Sequence, residues 1–143
     1  MNLYPPDFFS CARVGDVKIL RYCINEGDVF FLDRYMSCYR TGSINSWVKR
    51  TRSNVDALNL HILDVIKMDQ LYDEYSKGKF HNYVVEGCKR RNFDRCVQTY
   101  RFRELFSSDN KDFLKLIPLK RKVLYRILSF LPTKLSMALF KGL

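Results

Sequence analysis

GDVKILRYCINEGDVFFLDRYMSCYRTGSINSW, residues 15–47, decides how this chain is read. Asp16 opens a short amphipathic segment in which Ile19, Tyr22 and Cys23 share a helical face, with Leu20 and Ile24 beside them. An acid in the first turn suits the positive end of the helix dipole. Gly27 suits a left-handed terminator, so the pattern predicts a helix over 15–26. The apolar run DVFFLD, 28–33, predicts a strand bounded by acids. MSCYR, 36–40, predicts a second strand, with Met36, Cys38 and Arg40 on one face and Ser37 and Tyr39 on the other. Thr41-Gly42-Ser43 then breaks the pattern before the single Trp, Trp47.

Working outward, Pro5-Pro6 keeps the N-terminal segment out of helix, and Phe8 and Phe9 are placed as an apolar anchor. From about Ser53 the character changes. Ser53 or Asn54 can cap a helix running to about Ser76, in which Val55, Leu58, Ile62, Val65, Ile66 and Tyr72 recur at helical spacing. Gly78 closes it. Further helices are predicted over 81–90 and 93–106, then a polar loop over 107–112. Two short tail helices follow, 119–130 and 133–140, with Pro118 and Pro132 at or just before their starts. The chain therefore divides into an α/β piece, 1–50, and a helical piece, 51–143. Two or three strands cannot cover a face alone, so residues 1–50 are expected to complete a larger sheet.

With 143 residues, 47% hydrophobic and 15% aromatic, the chain can fold as one domain and bury a core. Its net charge of +10 implies attraction to something negative: nucleic acid, an anionic membrane or a phosphorylated small molecule. From Phe113 onward there is no Asp or Glu, while Lys115, Lys120, Arg121, Lys122, Arg126, Lys134 and Lys141 all fall there. Five cysteines, none in a CxxC pair and none at zinc spacing, are read as reduced, mostly buried thiols of a cytosolic protein. The N-terminus lacks the basic and apolar regions of a signal peptide. No apolar run approaches the roughly 20 residues that cross a bilayer, so a soluble or peripherally attached protein is expected.

The order Gly15-Asp16, Gly27, Leu32-Asp33, Met36-Ser37-Cys38-Tyr39-Arg40 and Ser46-Trp47 resembles the acceptor-side, C-terminal portion of bacterial family-2 glycosyltransferases of the GT-A fold. The resemblance covers residues 4–80 well and 81–143 loosely. It implies an α/β fragment, mostly helical: a short helix and two or three strands of a GT-A-like sheet edge, followed by a helical C-terminal region. The implied reaction moves a sugar, with inversion, from a nucleotide-sugar to a glycan or lipid-linked acceptor in surface polysaccharide synthesis. Asp16 would be the base that takes the acceptor hydroxyl's proton. Arg40, beside Tyr39, would pair with the departing diphosphate, and Trp47 would stack on the acceptor sugar. The family's nucleotide-binding half is missing: no Asp-x-Asp occurs in this sequence, and Gly42 stands where the family often has a His. No cofactor is therefore expected in this chain, a divalent Mg or Mn ion belonging to the missing donor half. The chain alone is expected to be inactive.

Each residue also has a plainer role. Asp16 can simply stabilise a helix end. Arg40 can pair with Asp33 or Asp28, and Trp47 can cover the long helix. His61 reads as a packed histidine, His81 as a surface or capping residue. Lys89-Arg90-Arg91, with Arg95, Arg101 and Arg103, reads as a solvated basic face or a phosphate contact. In the tail, 119–140, Leu124, Ile127, Leu128 and Leu131 form an apolar face flanked by Lys120, Lys122 and Arg126. Such a helix either lies on an anionic membrane or docks on the protein's own core. The alternative function is a non-enzymatic basic helical module binding nucleic acid or anionic membrane. The expected location is cytoplasmic, peripheral at the inner membrane face.

Overall fold

The computed structural model describes residues 6–28, 30, 33 and 47–141, with Trp47, Val48 and Lys141 described by backbone alone. The elements are helices: α1 (Gly15–Glu26), α2 (Trp47–Ser53), α3 (Val55–Tyr75), α4 (His81–Gln98), α5 (Phe102–Leu105), α6 (Lys111–Leu116), α7 (Leu119–Leu128) and α8 (Thr133–Lys141), with single 3-10 turns at Asp7–Phe9 and Ser108–Asn110. Two compact units form, Met1–Phe80 and His81–Leu143.

The expected α/β fragment with a GT-A-like sheet edge is not what the chain forms: no described residue lies in a strand, and the described fold is all-helical. Of the two predicted strands, Asp28, Phe30 and Asp33 have no regular structure, and Phe30 is 84% exposed. The remainder of 29–40 lies outside the described residues. An apolar run fixes a strand only when neighbouring strands complete its hydrogen bonds, and a short run cannot supply them alone.

The first unit is held by aromatic rings. Phe8, 1% exposed, meets the ring of Tyr72 edge-on at 5.5 Å and lies 5.4 Å from Tyr75. Tyr72 stacks on Phe80 at 5.8 Å, and Tyr22 on Tyr75 at 6.4 Å. These contacts tie the turn of Asp7–Phe9 and α1 to the C-terminal half of α3, beside fully buried Met68. Helix α1 spans the predicted residues but turns another face inward. Lys18 is buried and its Nζ donates to the Phe9 carbonyl at 2.6 Å. Arg21 pairs with buried Asp69 and lies 5.4 Å from the Tyr72 ring centre. Ile19, Leu20 and Cys23 face solvent instead. Gly27 is extended, not left-handed (φ 178°). At the end of α3, Lys77 (φ 53°) and Gly78 (φ 75°) do enter the left-handed region.

The long helix is preceded by a separate one. Asn54 interrupts it, its Oδ1 accepting from the N–H groups of Asp56 and Ala57, each at 3.0 Å. Such a cap contributes about 1 kcal/mol.

In the second unit the segments predicted as 81–90 and 93–106 are one helix, α4, and a short α5. The break falls at Tyr100, a non-glycine residue at φ 57°. Arg101 N–H closes the end onto the Cys96 carbonyl at 2.8 Å. No glycine or proline marks this turn. The Tyr100 ring, 5.7 Å from Phe140, offsets the cost of roughly 1–2 kcal/mol for a left-handed residue. The core gathers Cys96, Phe102, Leu105, Tyr125 and Leu128. Phe102 stacks on Tyr125 at 5.0 Å, with Phe140 5.7 Å away. The predicted polar loop 107–112 is instead the turn Ser108–Asn110 running into α6, pinned by buried Asn110, whose Nδ2 donates to the Glu104 carbonyl at 3.1 Å.

Candidate functional site

Asp16 lies in the first turn of α1 and is exposed. The rest of α1 sets its position. Lys18 and Arg21 fasten the inner face to Phe9 and Asp69, and Tyr75 donates to Glu26 at 2.9 Å at the far end. The carboxylate therefore stands at the rim of a fixed helix, beside the open apolar side chains Ile19 (60% exposed) and Leu20 (49% exposed).

Three residues before it, Arg13 lines an open cleft of about 510 Å³. The other walls are Arg50 and buried Thr51 of α2, the capping Asn54, and Ala57, Leu60, His61 and Asp64 of α3. Residues 57, 60, 61 and 64 follow the three-and-four spacing of one helical face, which is why α3 presents them together. Two guanidinium groups favour a phosphate or carboxylate, with which arginine forms paired hydrogen bonds. The threonine hydroxyl, asparagine amide and imidazole add the neutral polar groups that suit sugar hydroxyls. His61 is half-buried, and burial lowers its pKa below the ordinary 6.5 while the Asp64 carboxylate opposes that shift. Near pH 7 the ring is therefore neutral, able both to donate and to accept.

Of the sequence-predicted site residues, only Asp16 has a described side chain. Tyr39 and Arg40 lie outside the described residues. Trp47 begins α2 by its backbone. The cleft residues Arg13, Arg50 and Thr51 were not singled out by the sequence, and Asn54 only as a helix cap, because the cleft is assembled from stretches distant in the chain. His61, read from the sequence as a packed histidine, is half-buried and also lines the cleft.

The second unit carries nearly all the net charge: 14 Lys and Arg against five Asp and Glu in residues 81–143, compared with 11 against ten in 1–80. Not all of it is a solvated face. Arg95 is buried and donates to Asn92 at 2.8 Å and to Glu104 at 2.6 Å. Arg101 also reaches Glu104, at 3.3 Å. Lys89, Arg90 and Arg103 are exposed. Among the described residues, no three His, Cys, Asp or Glu side chains converge as a metal site would need. No described helix is long and apolar enough to cross a membrane.

Comparison with protein families, with curated proteins and with solved structures finds no match to this chain.

Proposed function

We propose that the first unit supplies the acceptor side of an inverting, nucleotide-sugar-dependent glycosyltransferase, with Asp16 as the general base. The observation that carries this reading is the exposed carboxylate of Asp16 at the start of a firmly held helix, three residues along the chain from Arg13, which lines a polar cleft. A base must be solvent-accessible and positioned, and such a group contributes about 10²–10⁴ in rate. The motif order from Gly15 to Trp47 gives the reaction class; the reading takes no sheet edge from that resemblance. The exposed Ile19 and Leu20 form the surface that a donor-binding portion would cover. In this scheme Asp16 accepts the proton of an acceptor hydroxyl as its oxygen attacks the anomeric carbon, and the nucleoside diphosphate leaves. Arg13 and Arg50 hold an anionic group of the acceptor, and His61 and Asn54 bond its hydroxyls.

The test is transfer of labelled sugar from UDP-glucose, UDP-galactose and UDP-N-acetylglucosamine to a membrane fraction, by this chain joined to a donor-binding half. Asp16→Asn should lower transfer by about 10²–10⁴ with the melting temperature little changed. Equal transfer by the variant removes Asp16 from the mechanism.

A second reading is favoured by the placement of charge. With net +9 in residues 81–143, the chain would act without catalysis, as a basic module on an anionic surface. That reading needs neither Asp16 nor the cleft.

A further inference from the structure

Helix α7 has two apolar faces. Tyr125 and Leu128 are buried in the core of the second unit, and Leu124 packs against it. At 100° per residue, Leu119, Val123 and Ile127 fall within an arc of about 80° on the far side. They are 74%, 51% and 59% exposed. Two further apolar side chains near the ends of the helix are exposed, Leu116 of α6 (81%) and Phe130 just after α7 (73%). By the same geometry Lys122 and Arg126 border the stripe on one side and Lys120 on the other. The sequence had assigned Ile127 to the same face as Leu124 and Leu128; the structure turns it outward.

We infer that this stripe is a docking surface for an anionic lipid bilayer, with Leu119, Val123 and Ile127 entering the headgroup boundary and Lys120, Lys122 and Arg126 meeting the lipid phosphates. The chemistry of both parts points the same way. Interfacial helices join a line of apolar side chains to flanking cations. No acid occurs from Phe113 to the C-terminus to repel a negative surface. A second copy of the chain fits poorly, because each copy would bring the same cations to the edge of the contact. Nucleic acid would use the cations, but duplex phosphates leave three aliphatic side chains in water. This inference stands apart from the reading of Asp16 and survives if that reading fails.

The experiment is flotation of the full chain with vesicles of phosphatidylcholine alone and of phosphatidylcholine with about a third phosphatidylglycerol. Binding is expected to the anionic vesicles only, and to weaken as salt rises. Leu119→Gln/Val123→Gln/Ile127→Gln, all at exposed helical positions, should abolish it while circular dichroism is unchanged. Lys120→Gln/Lys122→Gln should weaken it by about tenfold or more. In a Trp47→Phe background, Val123→Trp should give a fluorescence that shifts to the blue on anionic vesicles. The inference is overturned if the triple variant binds as well as the wild type. It is also overturned if the wild type ignores vesicles but binds duplex DNA, or if it self-associates and the triple variant is monomeric.

Discussion

The buried guanidinium of Arg95 donates at 2.6 Å to the carboxylate of Glu104, across the turn that joins α4 to α5. Burial alone would raise the Glu104 pKa, but the hydrogen bonds and charges of Arg95 and Arg101 outweigh it and hold the group below the ordinary 4.5. A carboxylate with a depressed folded pKa adds stability that is fully present above its unfolded value and is lost as pH falls through the folded one. The wild type should therefore lose stability below pH 4.5 more steeply than Glu104→Gln. At neutral pH the variant should be less stable by about 1–2 kcal/mol, since buried Arg95 loses the charged partner of its 2.6 Å hydrogen bond. Urea unfolding between pH 3 and 7 reads both effects.

His61 gives a slope of the same sign in a higher pH range, because burial disfavours its protonated form. Its folded pKa lies below 6.5, so the unfolded chain binds the proton more readily. Stability should fall as pH drops from 6.5 toward the folded pKa. His61→Gln should flatten that slope. Asp64→Asn should lower the pKa further, because the Asp64 charge is what holds it up. A proton NMR titration of the imidazole checks the direction.

Phe102 is the keystone of the second core, 1% exposed between Tyr125 and Phe140. Phe102→Ala should cost about 3–5 kcal/mol, and Phe102→Leu less, because leucine leaves a smaller void. Thermal unfolding followed by circular dichroism measures the difference.

The cysteines should separate by reactivity. Cys23 is exposed, whereas Cys96 is fully buried, and burial raises its thiol pKa. Thiolate is the reacting form. In the native protein Cys23 should therefore be alkylated promptly and Cys96 only on unfolding, as read by mass spectrometry of quenched samples. Equal labelling of both would show that the second core opens freely.

If the cleft binds an anionic acceptor, Arg13→Gln/Arg50→Gln should raise KM for that acceptor by tenfold or more and change kcat less. Both residues are exposed, so the fold should be retained. A fall in kcat with unchanged KM would place these guanidiniums in the transition state instead.

Where local chemistry suffices, the sequence by itself determined this protein: the span of α1, the cap at Asn54, the prolines ahead of α7 and α8, and the positive C-terminal third. These follow from side-chain periodicity, cap hydrogen bonds and ring geometry within a few residues. Which way each helix faces was decided only by tertiary structure. Lys18 and Arg21 turn inward because the Phe9 carbonyl and the Asp69 carboxylate are there to receive them. Ile127 turns outward because Tyr125 and Leu128 already fill the core. The predicted strands had no such support among the described residues. The cleft, too, exists only once residues 13, 50 and 61 are brought together. A helix can be written in twelve residues, but a buried charge or a cleft depends on partners distant in the chain.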